Sequence, residues 1–292
     1  MAVEELKKTL VLGHRNPDTD SICSAICYAG FKHQLTGENY EPCRAGNVNP
    51  ETQYVLDYFK LKAPRLVENV KTQVKDIEIR KTKGVSRGIS LKNAWGLMQE
   101  NNVVTLPCVT EEGLLEGVIT IGDITKSYMN LYDSSIISKA CTKYANILDT
   151  LEGSMVVGDS EAYFDRGKVL IAAANPDLME NYIEKHDLVI LGNRYESQLC
   201  AIEMEAGCII VCEGAGVSLT IRKLAQERGC AVITTPYDTY TTARLINQSM
   251  PISYFMTKEN IIEFSEEDYL DDIREIMASK RHRDFPILDS DG

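Results

Sequence analysis

The chain has 292 residues, long for a single core, and typical domain sizes predict two or three modules. Its 44% hydrophobic and 25% charged residues describe an ordinary soluble globular protein. A formal net charge of −12 argues against the basic stripe that a nucleic-acid or anionic-membrane face needs, while leaving room for a small anionic ligand held through metals.

Nine cysteines with no Cys-x-x-Cys pair, no signal peptide and no apolar run near the roughly 18 residues of a membrane helix predict reduced thiols in the cytoplasm. Cys23/Cys27 and Cys208/Cys212 share the spacing of metal ligands on a helix. The first pair is predicted on a helix core face and the second in a strand, both as small apolar packing.

In chain order, Leu10 to Leu12 suit a short buried strand, and Gly13 allows a sharp turn that brings His14 out at the strand's carboxyl edge, where open α/β sheets place ligands. Pro17 lacks an N–H and constrains Asn16, so Asp18 and Asp20 fall in a loop, with Ser21 predicted to cap the next helix. One imidazole and two carboxylates suit Mn²⁺ or Mg²⁺, and carboxylates one residue apart suit two adjacent ions. On residue types alone, an Asn-Pro-Asp turn with a capping Asp and a surface His is an equal reading. Ile22, Ile26 and Ala29 predict a helix from Ser21 to about Leu35, ending near Gly37, with His33 compensating the dipole at its end. Glu41 to Ala45 reads as a second strand. Asn49 caps a helix with Pro50 at its first position and Tyr54, Val55, Tyr58 and Phe59 facing inward. The result is a β-α-β-α half-sheet.

The string Gly13-His14-Arg15-Asn16-Pro17-Asp18-Thr19-Asp20-Ser21-Ile22 before a Cys/Ala-rich helix resembles the opening motif of family II, manganese-dependent inorganic pyrophosphatases of the DHH phosphoesterase superfamily. The resemblance continues through Arg44-Ala45-Gly46-Asn47-Val48-Asn49 and Glu51-Thr52-Gln53-Tyr54 to Pro64-Arg65-Leu66-Val67-Glu68. It implies that His14 and Asp18 hold one Mn²⁺, that Asp20 holds a second, and that the substrate is inorganic diphosphate.

After Pro64 the texture changes. Val74-Lys75-Asp76-Ile77 leads into a polar loop from Arg80 to Ser90, where Ser90 caps a helix carrying Leu91, Ala94, Trp95 and Met98 on one face. Strands Thr105 to Val109 and Gly117 to Thr120 follow, joined by Glu111-Glu112-Gly113. Asp123 then starts a helix whose buried face is Ile124, Tyr128 and Leu131. This order, with Gly117-Val118-Ile119-Thr120-Ile121-Gly122-Asp123-Ile124, is similar to a CBS domain, which implies an adenine-nucleotide effector contacted by Thr120 and Asp123, with Ser86 and Arg87 as further candidate contacts. A carboxylate accepts from ribose hydroxyls and a helix start favours phosphate; the alternative is that Asp123 is only an N-cap.

Residues 169–173, 187–191, 208–212 and 230–234 are strand-like, and the helix after Arg194 carries Tyr195, Leu199 and Ile202. Gly207 and Gly229 fall where helix C-caps belong. A parallel α/β domain of about 110 residues is predicted, with strand ends opening on Gly192-Asn193-Arg194, Glu213-Gly214-Ala215-Gly216 and Thr234 to Thr239. It resembles the DRTGG domain inserted between CBS units in some of these pyrophosphatases. Asn193-Arg194 and Glu213-Gly214-Ala215-Gly216 depart from the name-giving residues, and the glycine turn reads as structural because Glu213 opposes an anion. His186 is predicted to be structural, and Arg281-His282-Arg283 a solvated run.

A partial repeat of the CBS unit returns at 256–292. Ser265 and Asp268 cap a helix with Tyr269, Ile273, Ile276 and Met277, and Phe285-Pro286-Ile287-Leu288-Asp289 parallels Leu106-Pro107-Cys108-Val109-Thr110. The expected fold class is α/β: a parallel-sheet half-domain of the DHH type (1–68), a first CBS unit (69–132), a DRTGG-like parallel α/β domain (133–250) and an incomplete second CBS unit (251–292). The expected function is manganese-dependent diphosphate hydrolysis regulated by an adenine mono- or dinucleotide, in a homodimer joined through its CBS units. Three ligands cannot hold two ions, and His14, His33, His186 and His282 include no adjacent pair, so residues 1–292 are expected to be catalytically silent alone. The alternative is a nucleotide-sensing CBS/DRTGG module without catalysis.

Overall fold

The computed structural model describes residues 8–129, 133–280, 284–289 and 292. Leu131 and the Arg281-His282-Arg283 run lie outside them. By internal contacts the chain divides into two units, residues 1–73 with 269–271 and residues 74–268 with 272–292.

In the first unit the strands Thr9–Leu12, Tyr40–Arg44 and Arg65–Leu66 form a parallel sheet in that order. Each link is a helix, as parallel neighbours require. The helix Thr19–Thr36 is closed by Gly37, which takes a left-handed φ of 74° and donates its N–H to His33 O at 2.9 Å. His33 lies in the last turn, its Nδ1 2.7 Å from Glu38 O. Its N-cap is Asp18 rather than Ser21, because the carboxylate reaches the Ser21 amide and Ser21 is drawn into the first turn. Ile22, Ala25 and Ala29 face the core, whereas Cys27 is exposed, so the Cys23/Cys27 pair does not lie on the core face.

Asn49 and Pro50 start the helix Pro50–Tyr58 as predicted. Its inward stripe is Thr52 and Leu56, and Tyr54, Tyr58 and Phe59 are 72%, 71% and 65% exposed. The expected face is therefore corrected. Among its nine residues only the i, i+4 pair Thr52 and Leu56 is buried, and the Thr19 Oγ1–Thr52 Oγ1 contact of 3.0 Å turns that pair toward the helix Thr19–Thr36.

In the second unit Ser90 caps the helix Leu91–Asn101, its side chain accepting from the Asn93 amide. Strands Thr105–Val109 and Leu115–Thr120 form an antiparallel hairpin with Thr105 opposite Thr120, and the helix Ile121–Met129 follows. Leu91, Ala94 and Met98 are buried; Trp95 and Tyr128 are not, since each lies at the margin of its helix stripe.

Beyond it lies a five-stranded sheet ordered Ser154–Val157, Ala231–Thr234, Cys208–Val211, Leu188–Leu191, Val169–Ile171. The last four are mutually parallel, and Ser154–Val157 runs antiparallel at one edge, a strand that four residues between Gly153 and Gly158 did not announce. Alternation splits the central strands between two cores. Val189, Leu191, Ile209 and Val211 face one; Leu188, Ile190, Cys208 and Ile210 face the other, which continues through Ile147 and Met250 into Met98, Leu106, Ile119 and Ile124. The CBS-like hairpin and the inserted sheet thus share a core.

Gly229 ends the helix Leu219–Arg228 with φ 67°, but Gly207 is not a cap, because the helix Tyr195–Glu203 ends at Met204. Gly207 is small for another reason: a Cβ there would sit 2.8 Å from His186 O. Tyr195 on that helix is partly exposed rather than core. After the inserted sheet the chain returns to the CBS-like elements. The Leu91 amide donates to Met250 O and the Ile252 amide to Ile89 O, and Val118 and Thr257 exchange two backbone hydrogen bonds. Phe264–Ser265 then pairs in parallel with Ile287–Leu288. On the helix Leu270–Lys280, Ile273 is buried and Ile276 is exposed.

Candidate functional site

The carboxyl end of Thr9–Leu12 and the start of the next helix bring His14 and Asp18 together, with His14 Nε2 3.4 Å from Asp18 Oδ1. The same Oδ1 accepts the Ser21 amide at 2.9 Å. That amide, with His14 beside it, holds the Asp18 carboxyl below the ordinary carboxylate range. Both side chains are more than half exposed. Asp20 sits in the first helical turn, where it accepts from Ser24 Oγ at 3.4 Å. Among the described residues no three His, Cys, Asp or Glu side chains cluster closely enough to hold an ion. The structure thus pairs His14 with Asp18 and leaves Asp20 outside a common three-ligand group.

Close approach shapes this loop. A Cβ on Gly13 would collide with Ser21 Oγ, and one on Gly46 would lie 2.5 Å from Arg15 O and 2.7 Å from Pro17 Cδ. Gly46 therefore lets the Arg44–Asn47 segment lie against the 15–17 turn. Arg44 braces the segment through Nε, which donates to Pro64 O at 3.0 Å.

In the second unit Thr120 and Asp123 make a reciprocal cap. Asp123 Oδ2 accepts from the Thr120 amide at 3.0 Å and from Thr120 Oγ1 at 2.7 Å, and the Asp123 amide donates to Thr120 Oγ1 at 3.2 Å. Both residues line a cavity of about 540 Å³ together with Lys126, Asn260, Asp284 and the Ile261-Ile262 wall. Its size suits a nucleoside. Ser86 and Arg87 do not line it: Ser86 Oγ accepts from the Gly88 amide at 3.4 Å, and Arg87 Nη1 pairs with Glu116 Oε1 at 2.6 Å. Sequence reading missed Asn260 and Asp284, which reach the cavity only through the fold. Lys126 carried a local signal, three residues after Asp123 on the same helix face.

Glu213 and Gly214 both take left-handed φ near 60°, and Ser218 caps the following helix. His186 is left-handed at φ 69° and its amide donates to Glu205 O. The buried carboxylate of Asp187 accepts the amides of Lys168 and Glu184.

The hairpin and inserted sheet have clear relatives. A CBS domain model matches residues 74–130 and a DRTGG domain model residues 146–249. A crystal structure of the CBS and DRTGG domains of the regulatory region of Clostridium perfringens pyrophosphatase, complexed with its activator diadenosine tetraphosphate, superposes with a TM-score of 0.71. It is 35% identical and covers 76% of this chain and 96% of that one. The second unit is thus a CBS–DRTGG module. The cobalt-dependent inorganic pyrophosphatase of Clostridium perfringens is 39% identical over 279 residues, 96% of this chain and 51% of the relative. The manganese-dependent inorganic pyrophosphatase of Bacillus subtilis is 57% identical over 72 residues, 25% of this chain and 23% of that protein. The chain belongs to the metal-dependent inorganic pyrophosphatase family, in its CBS- and DRTGG-containing branch. It spans about half the length of the curated relatives it matches from end to end.

Proposed function

We propose that the first unit supplies part of a two-ion diphosphatase centre and that the second binds an adenine nucleotide controlling it. The observation that carries this reading is the His14–Asp18 pair at the carboxyl end of a parallel strand, with Asp20 in the first turn of the helix that Asp18 caps. A nitrogen and hard carboxylate oxygens fit Mn²⁺ or Co²⁺. His14 and Asp18 would hold one ion and Asp20 the other. Paired divalent ions, when bound, polarise the diphosphate and acidify the attacking water.

The chain's own contribution is positional. The Ser21 amide keeps Asp18 ionised and aimed at His14, and Gly13 and Gly46 let the loop close without side chains in the way. Three ligands leave most positions of two ions to be filled by other residues, so 1–292 alone is expected to be inactive. In the second unit Thr120 and Asp123 would hold the ribose. The protein is read as a cytoplasmic homodimer joined through its CBS units; no helix of the described residues is long and apolar enough to cross a membrane.

The test is phosphate release from diphosphate with Mn²⁺. Residues 1–292 should release none. The same residues within a chain of the relatives' full length should be active, and His14→Ala in that longer chain should abolish activity. An active His14→Ala chain would overturn the assignment, and an inactive longer chain would favour the purely nucleotide-sensing alternative.

A further inference from the structure

The 540 Å³ cavity is unevenly charged. Its described lining includes two carboxylates, Asp123 and Asp284, and one cation, Lys126. Asp123 is tied to Thr120 through its carboxylate and is only 16% exposed, so it faces the interior. Asp284 accepts the Val104 amide at 3.4 Å at the wall formed with Phe285 and Pro286. Lys126 lies on the opposite footing: its side chain is 79% exposed, and its Nζ is 3.9 Å from Asp123 Oδ1, too far for a direct hydrogen bond. The ammonium therefore stands at the rim with donors to spare.

A nucleotide entering such a cavity meets a sorting problem. Its base and ribose suit the apolar wall of Val104, Val118, Ile261 and Ile262 and the Thr120–Asp123 pair. Its phosphates are repelled inside by the Asp123 carboxylate and at the wall by the exposed Asp284, and the favourable partner among the described lining is the ammonium at the mouth.

Resting on the nucleotide reading of this cavity, we propose that Lys126 is the specificity-determining residue that reads the phosphate end of the effector, the nucleoside lying inside and the phosphates leaving past Lys126 toward solvent. Affinity then rises with phosphate charge through Lys126, while nucleoside affinity is independent of it. Because the ammonium is exposed, this preference shrinks as salt rises.

The experiment is calorimetric titration of residues 1–292 with adenosine, adenosine monophosphate and diadenosine tetraphosphate, using the wild type, Lys126→Gln and Lys126→Arg. The wild type should bind both phosphorylated ligands more tightly than adenosine. Lys126→Gln should weaken the two phosphorylated ligands by about threefold to tenfold and leave adenosine unchanged, and Lys126→Arg should restore the preference. A Lys126→Gln chain that keeps the wild-type ratio between phosphorylated and unphosphorylated ligands overturns the Lys126 proposal while the cavity reading stands. A uniform loss for all three ligands does the same, since it shows a structural role. A wild type that binds none of the three overturns the cavity reading itself.

Discussion

In residues 154–234 the central strands Leu188–Leu191 and Cys208–Val211 are wholly buried and feed a core on each face. In residues 8–73 the strand Thr9–Leu12 is only partly covered, and Tyr28, Phe31, Tyr54, Tyr58 and Phe59 stand exposed on the two helices. A sheet covered on both faces carries its own stability. A thinly packed one holds its loops in place by local means, here a cap, two glycines and an arginine brace. The candidate metal ligands belong to the second kind of environment and the candidate nucleotide cavity to a unit containing the first.

The largest effect should come from the doubly covered sheet. Ile210→Ala removes a fully buried side chain from the core shared with the CBS-like hairpin and should cost about 2 to 5 kcal/mol in denaturant unfolding. A cost under about 1 kcal/mol would break the contrast between the units.

A smaller effect, confined to the first unit, is expected from Asp18. Asp18→Ala removes the cap of the helix Thr19–Thr36 and should cost about 0.5 to 2 kcal/mol as well as Mn²⁺ binding. Asp18→Asn keeps an N-cap and should recover the stability without the metal affinity. If both variants bind Mn²⁺ like the wild type, Asp18 is a cap and nothing more.

Much of this contrast was legible beforehand. Asn49 with Pro50, Ser90, Gly37 and Gly229 mark helix ends through chemistry that acts within a few residues, so those boundaries could be read directly. The four parallel strands announced themselves as uninterrupted apolar runs. Which face of a short helix turns inward is decided by a partner distant in sequence, as Thr19 decides it for Thr52, so Tyr54, Tyr58 and Phe59 were misplaced. For the cavity, Thr120 and Asp123 were visible as a motif. Asn260 and Asp284 were not, because they join it only when the chain returns from the inserted sheet through the Val118–Thr257 pairing.

The thiols sharpen the comparison further. Burial pushes the Cys108 and Cys230 thiols up to about 12 and Cys208 well above its ordinary value, whereas Cys27 and Cys141 are exposed. Mass-spectrometric mapping of alkylation under native conditions should find Cys27 and Cys141 modified first and Cys108, Cys208 and Cys230 last. Early labelling of Cys208 would show that the inserted sheet opens.

The smallest effect is acid-dependent. Lys139 and Ser135 hold the Asp133 carboxyl down at about 2, from an ordinary 3.8. A depressed carboxylate stabilises above its unfolded value, so this contribution is complete above 3.8 and fades as the pH falls through about 2. Amide exchange in the helix Ile136–Lys139 should rise over that window beyond the intrinsic pH trend, and Asp133→Asn should remove the excess.

The central claim, that residues 1–292 hold part of a two-ion centre and not all of it, is tested most directly by calorimetric titration with Mn²⁺. The expected result is weak binding that His14→Ala abolishes. Tight binding of two ions would contradict the account, because the missing ligands would then have to come from residues assigned here to structure.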